Sequence, residues 1–192
     1  MITALDKNTA LVLIDFQNSV VAMPAVHPMD EILDNANKLT AVFRKKKLPV
    51  VVVNVQPTNA AWLLSRKDVK MPAFPDDENL YQITNKLQTD SSDIFITKHT
   101  WNAFFETTLH EQLQKKTVTG IVLAGISTSI GVEGTARAAS ELGYNISFAT
   151  DAMTDRQPEA HERSLQFIFP RIGETGTTTD IIAMLEDPGN GV

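Results

Sequence analysis

The chain has 192 residues, of which 43% are hydrophobic and 21% are charged, and its formal net charge is −6. This length suits one domain, which we predict over residues 1–192, and the acidic balance without a long Lys/Arg run argues against a nucleic-acid or membrane-surface partner. The chain contains no cysteine, which excludes disulfides, thiolate metal sites and a cysteine nucleophile.

The first third of the chain begins with a strand, a helix and a second strand. A nearly continuous apolar run over residues 10–16 is typical of a strand buried on both faces of a parallel sheet. Apolar residues then recur at helical spacing over residues 28–47, and Pro49 ends that helix. The valine-rich residues 50–55 predict a second buried strand.

A long excursion follows the second strand. Residues 56–90 contain three prolines and an acidic cluster, and their only predicted regular element is a short helix near residues 59–64. Irregular segments of this length are uncommon in compact domains unless they cover a functional site. We therefore expect this excursion to lie over a site.

The rest of the chain returns to alternating strands and helices. We predict strands over 93–98, 118–124 and 145–149, and helices over 104–116, 129–142, 158–169 and 178–185. This alternation predicts an α/β fold, a three-layer α/β/α sandwich with a mainly parallel, doubly wound central sheet. In such sheets ligands bind beyond the carboxyl ends of the strands, so polar residues at strand ends are the first candidates for a site.

Two charged residues end predicted strands. Asp15 follows the first apolar run and Lys98 closes the third strand. If both strands are central, the two side chains meet at one edge of the sheet, since a buried charge is costly without a partner. The pair fits a catalytic role, in which burial and the lysine set the pKa of Asp15, or a structural ion pair.

The segment after the fourth predicted strand is rich in glycine and hydroxyl residues. Residues 125–131 read Gly-Ile-Ser-Thr-Ser-Ile-Gly and precede a predicted helix. Backbone N–H groups at such a position can bind an anion or an oxyanion. The alternative is a simple strand-to-helix loop in which Thr128 or Ser129 caps the helix.

These strand-end motifs, in this order, resemble those of the isochorismatase-like hydrolase superfamily, which includes nicotinamidases, N-carbamoyl-amino-acid hydrolases and isochorismatases. The matching pieces are residues 10–18, 98–105, 124–137, 141–144, 150–152 and 172–173. Together they extend from residue 10 to about residue 180, and they are specific for the superfamily but not for a substrate.

The resemblance implies catalytic roles for Asp15 and Lys98. Amidase members use a cysteine at the start of the helix after the fourth strand, where this chain has Gly131. In this respect it is closer to isochorismatases than to nicotinamidases. The family also implies a cis peptide bond between Ile126 and Ser127. The residues expected to bind substrate are Gln17, Trp101, Ile126, Ser127, Thr128, Ser129, Ile130 and Gly131.

A second departure concerns metal binding. Nicotinamidase-like members carry an Asp-x-His metal motif after the second strand, where this chain has Asn54-Val55-Gln56. None of the four histidines has ligand spacing to another: His27, His99, His110 and His161. We predict no catalytic metal and no cofactor.

Without a thiol, the chemistry that the resemblance leaves is acid catalysis. Isochorismatases hydrolyse a vinyl ether, which needs a proton delivered to carbon, and Asp15 would supply it as a general acid with a raised pKa. Lys98 would oppose that rise, or would instead bind a substrate carboxylate, and Gln17 would orient a water or a substrate oxygen.

Two other functions stay open. One is a catalytically silent member of the family that binds a small molecule. The other is a C–N hydrolase with a different nucleophile, in which Ser127, Thr128 or Ser129 would use Asp15 as base.

The expected partners follow from the same observations. Trp62 and Trp101 are candidates to wall a pocket for a planar or cyclic substrate, with ordinary packing or an oligomer contact as the alternative. We expect a small-molecule substrate and a homo-oligomer, a dimer or larger. Because the N-terminus lacks a signal-peptide pattern and no apolar run is long enough to span a bilayer, we expect a cytoplasmic protein.

Overall fold

A six-stranded sheet forms the centre of the computed structural model, which describes residues 2–57, 60–69 and 75–187. Its strands are β1 (Thr9–Ile14), β2 (Val50–Val55), β3 (Ile94–Lys98), β4 (Gly120–Ile126), β5 (Asn145–Thr154) and β6 (Glu174–Gly176). Their order across the sheet is β3-β2-β1-β4-β5-β6, and each neighbouring pair runs parallel. The predicted fold class is confirmed.

Helices cover both faces of the sheet. They are α1 (Asn18–Val21), α2 (Met29–Lys45), α3 (Glu78–Tyr81), α4 (Leu109–Lys115), α5 (Glu133–Glu141), α6 (Pro158–Arg163), α7 (Phe169–Ile172) and α8 (Thr178–Glu186). A 3₁₀ turn spans Ala61–Leu64, and π-helical segments span Thr128–Val132 and Ser164–Ile168. Among the helices of the described ranges, none has the length and hydrophobicity that crossing a membrane requires.

The continuous apolar run of β1 is explained by burial on both sides. Val12 and Ile14 join a cluster with the buried residues of α4, α5 and α7. Leu11 and Leu13 point to the opposite face and join the buried residues of α2 and α8. Successive side chains of a strand alternate between faces, so a strand covered on both sides needs apolar residues at every position.

Several predicted boundaries were wrong. The strand predicted over 145–149 continues to Thr154, because a register shift between Leu123 and Gly125 lets β5 stay paired with β4. The helix predicted over 104–116 begins only at Leu109, since the side chain of Asn102 accepts the Phe104 N–H and forms a turn instead. The helix predicted from residue 129 begins as a π-helical segment.

Three short elements carried no clear signal in the sequence. Strand β6 has only three residues, and α1 and α3 have four each, so none shows a measurable periodicity. The short helix predicted near residues 59–64 corresponds to the 3₁₀ turn Ala61–Leu64, and residues 58–59 lie outside the described ranges.

The end of β4 lies unusually close to the end of β1. Gly125 has φ of 135°, and a Cβ atom at this position would overlap the backbone carbonyl oxygen of Ile14. Only glycine fits there without strain. This close approach brings the segment after β4 beside Asp15, the residue that follows β1.

Candidate active site

Asp15 and Lys98 form an ion pair at the carboxyl edge of the sheet. Lys98 ends β3, Asp15 follows β1, and β2 lies between these strands. The lysine and aspartate side chains together therefore bridge the width of β2, roughly 10 Å from β3 to β1. Its Nζ donates to Asp15 Oδ2 at 2.8 Å and to the Thr100 carbonyl at 3.1 Å. Residues 83 positions apart in the chain thus meet at one point.

The Asp15 carboxyl group is buried, and only one of its two oxygens has a hydrogen-bond partner. Its Oδ1 is the one buried side-chain nitrogen or oxygen without a hydrogen-bond partner among the residues that the structure describes. Burial raises the pKa of Asp15 from 3.8 to about 6, and this rise outweighs the lowering by the nearby Lys98 ammonium. A carboxyl group with this pKa can hold and release a proton near neutral pH.

Both side chains line a cavity of about 340 Å³ at the edge of the sheet. The rest of the wall is mainly apolar and includes Val20, Met23, Pro57, Trp62, Leu80, Tyr81, Trp101 and Ile130. Pro57, Trp62, Leu80 and Tyr81 belong to the long excursion over residues 56–90. The described part of this excursion therefore covers a cavity, as its length predicts.

Gln17 also lines the cavity, but its amide is already bound. Its Oε1 accepts the Val55 N–H at 2.8 Å and its Nε2 donates to the Val55 carbonyl at 3.0 Å. The side chain thus extends the hydrogen bonding of the sheet beyond the end of β2. This pairing takes up the carbonyl oxygen and one amide N–H that the sequence suggested for orienting a water or a substrate oxygen.

Gly131 lies directly against the ion pair. A Cβ atom at this position would be 3.1 Å from Asp15 Oδ2 and 2.9 Å from the Ile14 Cγ2 atom. The position that carries cysteine in the amidases is therefore beside Asp15 in this fold, and glycine leaves that space to the carboxyl group. The neighbouring peptide bond between Ile126 and Ser127 is cis.

The other residues of this segment point away from the cavity, apart from Ile130. Ile126 belongs to the hydrophobic core. Ser127 lines a separate, very small cavity beside Asp155. Thr128 is fully buried and its hydroxyl lies 2.9 Å from His161 Nδ1, so a substrate cannot reach it.

Ser129 is held by Asp155. Both its N–H and its hydroxyl donate to Asp155 Oδ2 at 2.8 Å. The N–H groups of Ile130 and Val132 donate to the Ser127 carbonyl. Three N–H groups of this segment, those of Ser129, Ile130 and Val132, are therefore bound within the protein.

Asp155 and His161 were missed by the sequence analysis. Asp155 follows β5 directly, and a buried aspartate at a strand end is the signal that identified Asp15. In the sequence, residues 150–152 at the end of this strand were singled out instead. Asp151, however, accepts hydrogen bonds from the N–H and the hydroxyl of Thr178 at the start of α8, so it does not contact Ser129. No local pattern identified His161, because its partner Thr128 is 33 residues away.

The structure brings together two of the four histidines. The rings of His27 and His161 lie 4.8 Å apart, and each binds a threonine hydroxyl, those of Thr154 and Thr128. Burial, and then His27, lower the pKa of His161, which favours its neutral form. Within the described ranges, no group of three or more His, Asp or Glu side chains is placed to hold a metal ion.

The two tryptophans meet at one side of the cavity. Their rings lie edge to face with centroids 6.3 Å apart, and Trp62 Nε1 donates to the His99 carbonyl at 2.7 Å. Trp101 is 54% exposed and also borders a second, open depression with Phe105 and Gly134. Both tryptophans line the cavity that contains Asp15.

Comparisons with known proteins agree with the fold. The model of the isochorismatase domain family matches residues 9–180. An uncharacterised isochorismatase family protein of Escherichia coli O157:H7, YecD, is 40% identical over 182 residues, covering 93% of this chain and 97% of its own. A second such protein, YwoC of Bacillus subtilis, is 37% identical over 184 residues, covering 94% and 95%.

A solved structure matches closely as well. It is an isochorismatase family protein of Burkholderia thailandensis, with a TM-score of 0.91 and 36% sequence identity. The match covers 97% of this chain and all of that one.

Proposed function

The chain belongs to the isochorismatase family of hydrolases, and from that premise we propose that Asp15 acts as a general acid on a vinyl ether or related bond of a small metabolite. The observation that carries this proposal is the unpartnered Oδ1 of Asp15, on a carboxyl group that lines the cavity. With a pKa of about 6, about half of the Asp15 carboxyl groups carry a proton at pH 6 and about a tenth at pH 7. No cysteine nucleophile takes part, because the chain has none.

The reaction needs one proton and one water. The Asp15 carboxylic acid gives its proton to the terminal carbon of the C=C bond, which leaves an oxocarbenium ion and an aspartate. Water adds to the cationic carbon and returns a proton to the Asp15 carboxylate. The resulting hemiketal breaks its C–O bond and releases a carbonyl compound and an alcohol, so the acid is regenerated.

The neighbouring residues support this chemistry by position. The Lys98 ammonium holds Oδ2, which leaves Oδ1 as the oxygen free to carry the proton. It also stabilises the aspartate that forms after proton transfer. Gly131 leaves the space beside the carboxyl group open, because even a Cβ atom there would lie 3.1 Å from Oδ2.

The test compares wild-type protein with Asp15→Asn on two enol ethers. One is carboxylated, 2-phenoxyacrylate, which releases pyruvate and phenol; the other is neutral, 1-methoxy-1-phenylethene, which releases acetophenone and methanol. We expect turnover of at least one by the wild type and a fall of about 100- to 10,000-fold in Asp15→Asn, the usual contribution of a general acid. The matched control is Asp34→Asn, the same change at an exposed position on α2.

Two results would overturn the proposal. One is absence of wild-type turnover with both ethers. The other is equal turnover by wild type and Asp15→Asn, with far-UV circular dichroism showing that the variant is folded.

A second candidate is a family member that binds a small molecule without converting it. Glycine at position 131, where the amidases carry their nucleophile, favours this function together with the well-formed cavity. Ligand binding by the cavity without turnover of either enol ether would support it.

A further inference from the structure

The charge and polarity of the cavity walls point to one class of substrate. Resting on the proposed function, we infer that the cavity selects an uncharged, largely apolar substrate over an anion of the same shape. The contacts of the wall residues support this inference in three steps: the charged groups, the polar groups and the neighbouring cations.

The charged groups of the wall offer nothing to an anion. Among the described residues that line the cavity, the charged ones are Asp15 and Lys98, and they neutralise each other. The Lys98 side chain is only 1% exposed and its ammonium is bound to Asp15 and to the Thr100 carbonyl. The Asp15 side chain is 8% exposed, so the charge nearer to a ligand is the negative one. This arrangement differs from the expectation that Lys98 binds a substrate carboxylate.

Three polar side chains of the wall are bound within the protein. Gln17 is paired with the backbone of Val55. The Tyr81 hydroxyl donates to the Pro75 carbonyl at 2.6 Å, and the Trp62 N–H donates to His99. These three side chains therefore present mainly carbon atoms to a ligand, and an anion beside them would lose water that they do not replace.

Lys67, a cation close to the cavity, is bound to backbone carbonyl groups. The Lys67 ammonium lies 5.3 Å from the centroid of the Trp62 ring and donates to the carbonyls of Trp62 and Ser65. It borders the open depression beside Trp101 and not the cavity that contains Asp15. Lys67 is therefore not placed to receive the carboxylate of a ligand bound at Asp15.

The size of the cavity sets an upper limit on the ligand. A volume of about 340 Å³ lies at the small end of ligand sites, which suits a single ring with a short substituent. Together with the apolar walls, this favours a neutral ring compound.

The test measures binding of two matched pairs by calorimetry at pH 8. The first pair is acetophenone and benzoate, which have the same shape and differ by a methyl group in place of a charged oxygen. The second is cyclohexyl methyl ketone and cyclohexanecarboxylate. We expect each ketone to bind about tenfold tighter than its carboxylate, or more, because the anion loses hydration that the described side chains Gln17, Trp62 and Tyr81 do not restore.

A variant tests the reason for the selectivity. Met23 lines the cavity and is 37% exposed, so Met23→Lys adds a cation at its rim without touching Asp15 or Lys98. We expect Met23→Lys to strengthen benzoate binding about tenfold, and the neutral control Met23→Gln to leave it unchanged.

The outcomes separate this inference from the proposed function. Carboxylates that bind as well as their ketones to the wild type, or ketones that fail to bind at millimolar concentration, would overturn it. Selective ketone binding without enol-ether turnover would uphold it and end the catalytic proposal. Faster turnover of 2-phenoxyacrylate than of the neutral ether would support the catalytic proposal and contradict the inferred selectivity for neutral substrates.

Discussion

Asp15 has a backbone φ of 56°, one carboxyl oxygen on Lys98 and the other without a partner. A buried ion pair alone is weak evidence for function, because many such pairs are structural. A structural pair, however, gains from satisfying every buried oxygen, and native structures leave few such atoms unpaired. The left-handed backbone and the unpartnered oxygen together favour a chemical role over a structural one.

The pH dependence of activity tests that role. If the protonated form of Asp15 is the active one, kcat/KM is highest below the pKa of about 6 and falls as the pH rises through it. Above that pKa the fall should approach about tenfold per pH unit, since the acid fraction decreases in that proportion. The measurement is a pH profile of kcat/KM on the enol ether that is turned over.

Lys98→Met provides the matched variant for this profile. The ammonium lowers the pKa of Asp15 while burial raises it, so removing the cation leaves burial unopposed. We expect the falling limb to move to higher pH by about 1 to 3 units. Activity that instead rises through pH 6 would identify Asp15 as a base, and an unmoved limb would mean that another group titrates.

At the level of elements, the segment between β4 and α5 forms hydrogen bonds with Asp155, which follows β5, and with His161 of α6. Asp155 at the end of β5 binds Ser129 through Oδ2, and its Oδ1 accepts the N–H groups of Arg156 and Gln157. His161 in α6 contacts the hydroxyl of Thr128. We infer that these contacts set the position of Gly131 beside Asp15. Neither Asp155 nor His161 lines the cavity that contains Asp15.

Asp155→Asn tests this support. The amide cannot accept hydrogen bonds on both of its terminal atoms, so buried N–H groups lose a partner, which should lower the free energy of unfolding by about 1–3 kcal/mol. Because the segment then loses its fixed position, we also expect lower enol-ether activity. Urea denaturation and the activity assay measure the two effects.

Asp180→Asn is the control for that experiment. Asp180 forms the capping box of α8 with Thr177, at an exposed position among residues that do not line the cavity. We expect a loss of about 0.5–1 kcal/mol and unchanged activity. If Asp155→Asn behaves like Asp180→Asn, Asp155 does not position the segment.

At the level of the whole molecule, one sheet supports both hydrophobic clusters. Neighbouring residues of β1 enter opposite clusters, so neither layer of helices can detach without exposing a face of the same strands. This arrangement favours a single cooperative unit, in line with the prediction of one domain over residues 1–192.

Calorimetry tests that prediction. We expect one unfolding transition with equal calorimetric and van't Hoff enthalpies. The enthalpy should be roughly 130 kcal/mol near 60 °C, about 0.7 kcal/mol per residue for 192 residues. Two resolved transitions, or a midpoint by far-UV circular dichroism that differs from the calorimetric one, would contradict it.

Much of the fold could be predicted from the sequence, because burial leaves a local pattern. The apolar runs of β1, β2 and β4 and the periodicity of α2 were identified within a few residues of their observed bounds. Elements of three or four residues were not, since a period needs more residues to show.

The sequence by itself determined the family, the α/β sandwich and the two charged residues at the strand ends, since these depend on residue type and on neighbours along the chain. Only the tertiary structure decided which groups are free to act. The pairing of Gln17 with Val55, of Trp62 with His99 and of Thr128 with His161 joins segments that the fold brings together. Hydrogen-bond satisfaction and burial depend on such contacts, so the unpartnered oxygen of Asp15 and the neutral character of its cavity are properties of the folded chain.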